Sequence, residues 1–210
     1  MPAGSERPQS RQTVAASAHE LALFPLATVL LPGGLLPLRI FESRYIDLIG
    51  RCMRHEELFG VVQIRSGTEI QGSVTLHDIG TSARVIDFQS TAQGLLSVLC
   101  RGERRFRILS RQQQPDGLNC ACVQWLPEPA AVAPAPQFAA LAQTLRKALA
   151  HLTIPERFIE PRYDDADWVS CRLAELLPLP ASELQQLLEL DDPQERLRRL
   201  APLVEDLAGN

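Results

Sequence analysis

Five cysteines and four histidines are the residues of this chain best suited to making or breaking a covalent bond. The thiols stand at Cys52, Cys100, Cys120, Cys122 and Cys171, and the imidazoles at His19, His55, His77 and His151. A thiol becomes a useful nucleophile when a neighbouring base or cation favours its thiolate. No local signature in this sequence puts a histidine beside a cysteine. Cys52 falls on the apolar side of a helical pattern, where a thiol is packing material. His77-Asp78 reads as a turn entering a strand, with an acid–base pair as the other reading. Cys120-Ala121-Cys122 lacks the two-residue gap of a zinc ribbon and has no second pair to complete four ligands. On a strand, positions i and i+2 share one face, so the pair reads as small apolar residues side by side. No metal and no cofactor are expected.

The chain contains a single lysine, Lys147, and no G-x-x-x-x-G-K-[ST] loop to cradle phosphates. Lys147 lies away from the apolar stripe of its helical pattern. A solvated lysine keeps a pKa near ~10.4 and is a poor base toward serine. ATP hydrolysis, serine–lysine peptidase chemistry and Schiff-base chemistry are therefore not expected. The one basic run is Arg101, Arg104, Arg105, Arg107 and Arg111. It reads as a solvated face opposite Phe106 and Ile108. A phosphate-binding strip is the competing reading. Aromatic side chains suit interfaces, and Phe158, Tyr163, Trp168 and Trp125 are the contact candidates. Three of these lie in or beside a proline-bounded break, Pro155–Pro161, where a groove could open.

The elements that must position these groups follow from periodicity and from the sixteen prolines. Phe24–Tyr45 is the most apolar stretch, and Pro25, Pro32 and Pro37 keep it from being one helix. Leu21–Phe24, Thr28–Leu31 and Leu35–Ile40 read as short buried strands, with a turn at Pro32-Gly33-Gly34. Arg39 and Glu42 read as an ion pair joining this region to a helix that Ser43 caps and that runs to His55, with a direct grip on a ligand as the other reading. Strands follow at Leu58–Ile64, Ile79–Phe88, Leu95–Cys100, Arg104–Leu109 and Leu118–Leu126. Turns are expected at Ser90–Gly94 and Gly102-Glu103, and a polar loop at Arg65–Ser73.

Pro127–Pro136 holds four prolines in ten residues and reads as an extended linker. Beyond it the period becomes helical. One amphipathic helix is marked by Phe138, Leu141, Leu145, Ala148, Leu149 and Leu152. A second spans Asp167–Leu177. A third opens on a Ser182–Gln185 capping box, and a fourth on Asp192-Pro193. Pro202 should kink or end the last one. The fold class is α+β: a β-barrel with one helix over residues 19–126, the linker 127–136, and a helical bundle over 137–210. Residues 1–18 read as a disordered tail.

Hydrophobic residues make up 45% of the chain and charged residues 22%, ordinary proportions for a globular protein. Residues 127–210 carry 8 Lys and Arg against 14 Asp and Glu, a poor surface for nucleic acid. With no apolar signal segment and no membrane span, the cytoplasm is the expected compartment.

The pattern FPL-x-x-VL-x-PG-x-x-LPLRIFE-x-RY over residues 24–45 resembles the amino-terminal, substrate-binding domain of Lon proteases. Phe59-Gly60-Val61-Val62, Ile79-Gly80-Thr81-Ser82-Ala83, Gly102-Glu103-Arg104-Arg105-Phe106, Leu173–Leu179 and Leu187-Leu188-Glu189 continue the resemblance in order, over roughly residues 20–205. It implies a PUA-like barrel and non-catalytic binding of unfolded or exposed apolar polypeptide, with a separate protease as a further partner. A PUA-like nucleic-acid-binding module and a thiol-dependent hydrolase remain as alternatives.

Overall fold

The computed structural model describes residues 18–67, 74–90, 96–151 and 158–208. Seven strands and five α-helices are found among them. They are β1 (His19–Leu26), β2 (Leu35–Ile40), α1 (Ser43–His55), β3 (Phe59–Ser66), β4 (Thr75–Leu76), β5 (Ile79–Ser90), β6 (Leu96–Gln113) and β7 (Asn119–Trp125). After these come a 3-10 turn (Pro136–Phe138), α2 (Ala139–Ala150), α3 (Ala166–Leu176), α4 (Ala181–Glu189) and α5 (Pro193–Ala208). The tail before residue 18 and residues 91–94 of the expected turn lie outside the described residues. So do Leu152, Pro155 and part of the loop expected at Arg65–Ser73.

Pairing runs β1–β7–β6–β5–β3–β4, mostly antiparallel, and β3 also pairs with β1 in parallel. The path β1–β7–β6–β5–β3 thus returns to its first strand. β2 lies along the second edge of β6. The long strand β6 corrects the sequence reading, which broke it into a hairpin at Gly102-Glu103. It runs unbroken from Leu96 to Gln113. Gly102 is needed for a close approach instead. The Gly33 amide donates to the Gly102 carbonyl (2.8 Å), and the Gly102 amide donates to that of Gly34 (2.9 Å). A Cβ on Gly102 would sit 2.3 Å from the Leu31 carbonyl oxygen. The turn at Pro32-Gly33-Gly34 is present, with Gly33 at φ +72° and the Gly34 amide on the Leu31 carbonyl. Thr28–Leu31 is not a strand. Leu30 and Leu31 are buried by packing under this turn rather than by pairing.

Inside the ring of strands one ring system decides the packing. Phe106 is fully buried, and a Cβ on Gly60 or Gly80 would come within 2.7 or 2.8 Å of its Cζ. The two glycines make the room that Phe106 fills. On the other side of the sheet, α1 buries Tyr45, Leu48, Ile49 and Cys52, as its spacing requires. The Tyr45 ring stacks on Phe24 with centroids 4.0 Å apart. The cap of α1 is Glu42 rather than Ser43, and no side chain closes it. Glu42 pairs not with Arg39 but with Arg44, at 2.7 Å.

The proline-rich segment is held at several points. The Val132 carbonyl accepts from the Ala166 amide (2.7 Å), and the Gln194 side chain bridges the Ala133 carbonyl and the Ala135 amide. Asp165 caps α3 through the Asp167 amide, and Asp192 caps α5 through that of Gln194. The expected capping box of α4 does not form. Pro180 takes the cap position, so Ser182 lies inside the first turn. Gln185 is buried and donates to the Ile79 carbonyl of β5. Pro202 sits within α5 without ending it. Leu31, Ile79 and Leu126 belong to the same apolar cluster as the core residues of α3, α4 and α5. Among the described residues, no helix is long and apolar enough to cross a membrane.

Candidate functional site

The reactive groups are the first to be placed. Burial pushes the thiols up: Cys52 to about 11, Cys100 to about 12 and Cys171 to about 11, with Cys120 raised as well. Buried, protonated thiols are poor nucleophiles at neutral pH. Cys122, half-buried, faces Glu20 across the β1–β7 pair. The His77 imidazole reaches the Glu189 carboxylate of α4 (3.6 Å), while the Asp78 carbonyl accepts from the Ile108 amide. His77-Asp78 is therefore a link between strands and helices. Among the described residues, no group of three His, Cys, Asp or Glu is arranged to hold a metal.

The arginine run is not a strip. Arg105, expected on a solvated face, is only 4% exposed. Its guanidinium donates to the Leu188 carbonyl (2.8 Å), the Leu190 carbonyl (3.0 Å) and the Asp191 carboxylate (2.8 Å). The end of α4 covers that face of β6, a contact between residues more than eighty positions apart that no local pattern announces. Arg101 donates to the Phe158 carbonyl (3.0 Å), Arg104 pairs with Glu128 (2.7 Å), and Arg111 donates to the Val74 carbonyl (3.1 Å). Arg107 remains exposed.

Of the aromatic candidates, two meet. Trp168 is 4% exposed and lies edge-on to Tyr163, with centroids 5.3 Å apart and planes at 85°. Tyr163 is half-buried, carries the Arg146 guanidinium 4.5 Å above its ring, and lines an open cleft of about 520 Å³ with Ala142, Gln143, Lys147 and Asp164. Trp125 packs elsewhere, edge-on to Phe106 at 6.3 Å with Arg104 over its ring. Phe158 is half-buried, its carbonyl held by Arg101.

Reading Leu35–Ile40 only as a buried strand missed a surface. Leu38 and Ile40 point inward, whereas Pro37, Arg39 and the following Phe41 are exposed. Phe41, at 74%, is the most exposed large apolar residue among the described ones, followed by Phe88 at 55%. The alternation L-P-L-R-I-F carried the signal, because period two sends every second side chain to the other face. Across the sheet, Leu99 and then Asp87 lie opposite Pro37, and Ser97 and then Gln89 lie opposite Arg39. Leu35 lies opposite Arg101, which in turn holds Phe158. The outward line of β2 therefore leads from the helical part of the molecule to its exposed rim.

The backbone at this rim is hindered from pairing at two points. The Gly102–Gly34 hydrogen bond sets the alternation of the β2–β6 ladder, so Leu36, Leu38 and Ile40 direct their backbone groups at β6. Leu35, Pro37 and Arg39 then direct theirs outward, and Pro37 has no N–H to offer. By the same alternation Phe88 of β5 points its amide outward, where the Asp87 carboxylate accepts from it at 2.9 Å. A register irregularity between Val85 and Asp87 disturbs this edge further.

The model of the ATP-dependent protease La (LON) substrate-binding domain matches residues 20–206. The crystal structure of a Lon N-terminal domain protein from Xanthomonas campestris superposes with a TM-score of 0.74. It is 36% identical, and the match covers 88% of this chain and 98% of that one. The N-terminal domain of the Mycobacterium avium complex Lon protease, 21% identical with a TM-score of 0.63, shares the fold. A Lon protease of Anaeromyxobacter dehalogenans is 35% identical over 96 residues, and protein cereblon of Danio rerio 29% over 116. Those matches take in 45% and 53% of this chain, but 11% of that Lon protease and 26% of that cereblon.

Proposed function

We propose a polypeptide-binding role from one premise: this chain belongs to the family of ATP-dependent protease La (Lon) substrate-binding domains. Its architecture is the Lon N-terminal domain fold, a mixed α/β arrangement of antiparallel strands and helices. In our reading the ring of strand pairings is a PUA-like barrel. The described residues between 137 and 208 are the helical subdomain in this reading, joined to it through 127–136. The module is non-catalytic, and it presents clients to a protease.

Exposed aromatic surface is the observation that carries this reading. Phe41 and Phe88 stand more than half exposed on a chain that buries most of its large apolar residues. Exposed rings of this kind are suited to anchoring an apolar polypeptide segment. Phe158 and Tyr163 add half-buried rings next to the helical part. Trp168 packs edge-on to Tyr163, and Trp125 edge-on to Phe106. The dispersal of the arginines onto carbonyls and carboxylates removes the main support for a nucleic-acid strip.

Passing the protein over immobilised unfolded polypeptide, and separately over immobilised RNA, tests the proposal. Retention by the polypeptide that survives moderate salt is the expected result. Retention by RNA alone, falling steeply with salt, would replace the proposal with a nucleic-acid module.

A further inference from the structure

We propose that the outward line of β2 with the residue that follows it, Pro37–Arg39–Phe41, is a docking strip for polypeptide segments in which an apolar side chain has an acidic neighbour. The inference rests on the polypeptide-binding reading and narrows it to a surface and a ligand class. Three observations carry it.

Two residues of this strand and the one after it are left exposed by the fold. Leu38 and Ile40 are buried with Tyr45, Leu48 and Ile49, whereas Pro37, Arg39 and Phe41 contribute little to that core. Phe41, 74% exposed, offers apolar contact area at the end of this line, with exposed Pro37 four residues before it.

Charge at the strip is one-sided. Arg39 is exposed and, among the described residues, has no carboxylate within ion-pairing distance. Its neighbours leave it uncompensated. Glu42 is engaged by Arg44, and Glu103 by Arg84. Arg101 spends its donor on the neutral Phe158 carbonyl. Asp87 lies on the same face but two strands away and opposite Pro37 rather than Arg39, and no ion pair joins the two among the described residues. A carboxylate on the ligand is what this position lacks.

Backbone pairing is discouraged at both nearby edges. Pro37 removes an outward donor from β2, and the Asp87 carboxylate already occupies the outward amide of Phe88 on β5. A ligand is thus held by its side chains, with Phe41 as the apolar anchor and Arg39 as the charge reader. The ligand need not be extended, and its sequence matters only in the pairing of an apolar with an acidic residue.

The test uses the full chain and two fluorescently labelled peptides with the same apolar residues. One carries glutamate and the other lysine at the neighbouring positions. Anisotropy should show the glutamate peptide bound at least about tenfold more tightly, ~1.4 kcal/mol. Arg39→Glu should reverse that preference. Phe41→Ala should weaken both peptides by a similar factor. Both substitutions are at exposed positions, and unchanged thermal melts establish that the variants are folded. Equal affinity of the wild-type protein for the two peptides overturns the charge assignment. Binding that persists unchanged in both variants overturns the strip while leaving the polypeptide-binding reading standing. Failure of the wild-type protein to bind either peptide or unfolded polypeptide overturns that reading, and this inference with it.

Discussion

Arg105 of β6 and Arg196 of α5 converge on the carbonyl oxygen of Leu190, each donating to it at 3.0 Å. This carbonyl ends α4, a helix with no glycine cap. The last carbonyls of a helix lack partners within it and carry the negative end of its dipole. Here two guanidinium groups from different elements supply the donors. Arg105 also takes the Leu188 carbonyl and Arg196 that of Leu187. Arg196 is further fixed by Asp167, Ser170 and the Cys171 sulfur. The strands and the helices are therefore joined through one buried polar knot, to which the sheet contributes Arg105.

Arg105→Ala should destabilise the fold by about 1–3 kcal/mol, because the buried Leu188 carbonyl loses its donor and the Leu190 carbonyl keeps only that of Arg196. Arg105→Lys should recover little of this, since an ammonium cannot reproduce the forked geometry. Arg107→Ala, two residues along at an exposed position, should stay within about 0.5 kcal/mol of wild type. Urea denaturation of the three variants measures these differences. Similar midpoints for Arg105→Ala and Arg107→Ala would mean that the knot contributes nothing.

Gly60 and Gly80 give a second contrast. Both face the Phe106 ring, but an added Cβ on Gly80 would also meet the Val61 carbonyl at 2.5 Å. A phenyl ring can tilt, whereas a backbone carbonyl inside a paired strand cannot shift cheaply. Gly60→Ala should cost about 1–3 kcal/mol, the usual range for overpacking, and Gly80→Ala more. Combining Gly60→Ala with Phe106→Leu should restore part of the loss, and the same partner change should help Gly80→Ala less. Denaturation midpoints of the two pairs check both orderings.

How much of this was legible in the sequence depended on the range of the interactions. Helix α1 was readable apart from its cap, one residue earlier than Ser43, since Tyr45, Leu48, Ile49 and Cys52 declare one face within a few turns. The turn at Pro32-Gly33-Gly34 and the start of α5 at Asp192-Pro193 were readable for the same local reason. Gly102 was misread because a glycine allows a turn and a close approach equally well, and only the Leu31 carbonyl decides between them. Arg105 was misplaced because period two tells which residues share a face but not what covers that face. Phe41 was overlooked because a run rich in leucine suggests burial, although its alternation assigns half of the run to the outside.

The thiols supply the last prediction. Cys52, Cys100 and Cys171 are raised to about 11, 12 and 11 from an ordinary value of 9.0, chiefly because burial disfavours the thiolate. In the unfolded chain that burial is gone and the thiols ionise near the ordinary value. Between the two values the folded state holds more protons than the unfolded state. Stability then falls as pH rises. The contribution is complete below pH 9.0, and it is lost as pH climbs through the folded values toward about 11 or 12. Denaturant midpoints measured from about pH 7 to about pH 10.5 should therefore be flat at first and then drop. Replacing the three cysteines with alanine should flatten the alkaline limb, whatever it does to the midpoint at neutral pH. In the native protein at mildly alkaline pH, an aromatic disulfide reagent should titrate Cys122 first, the half-buried thiol. The other four should react only when denaturant is added. Rapid native-state labelling of Cys52 or Cys171, located by peptide mapping, would show an accessible thiolate and return thiol chemistry to consideration.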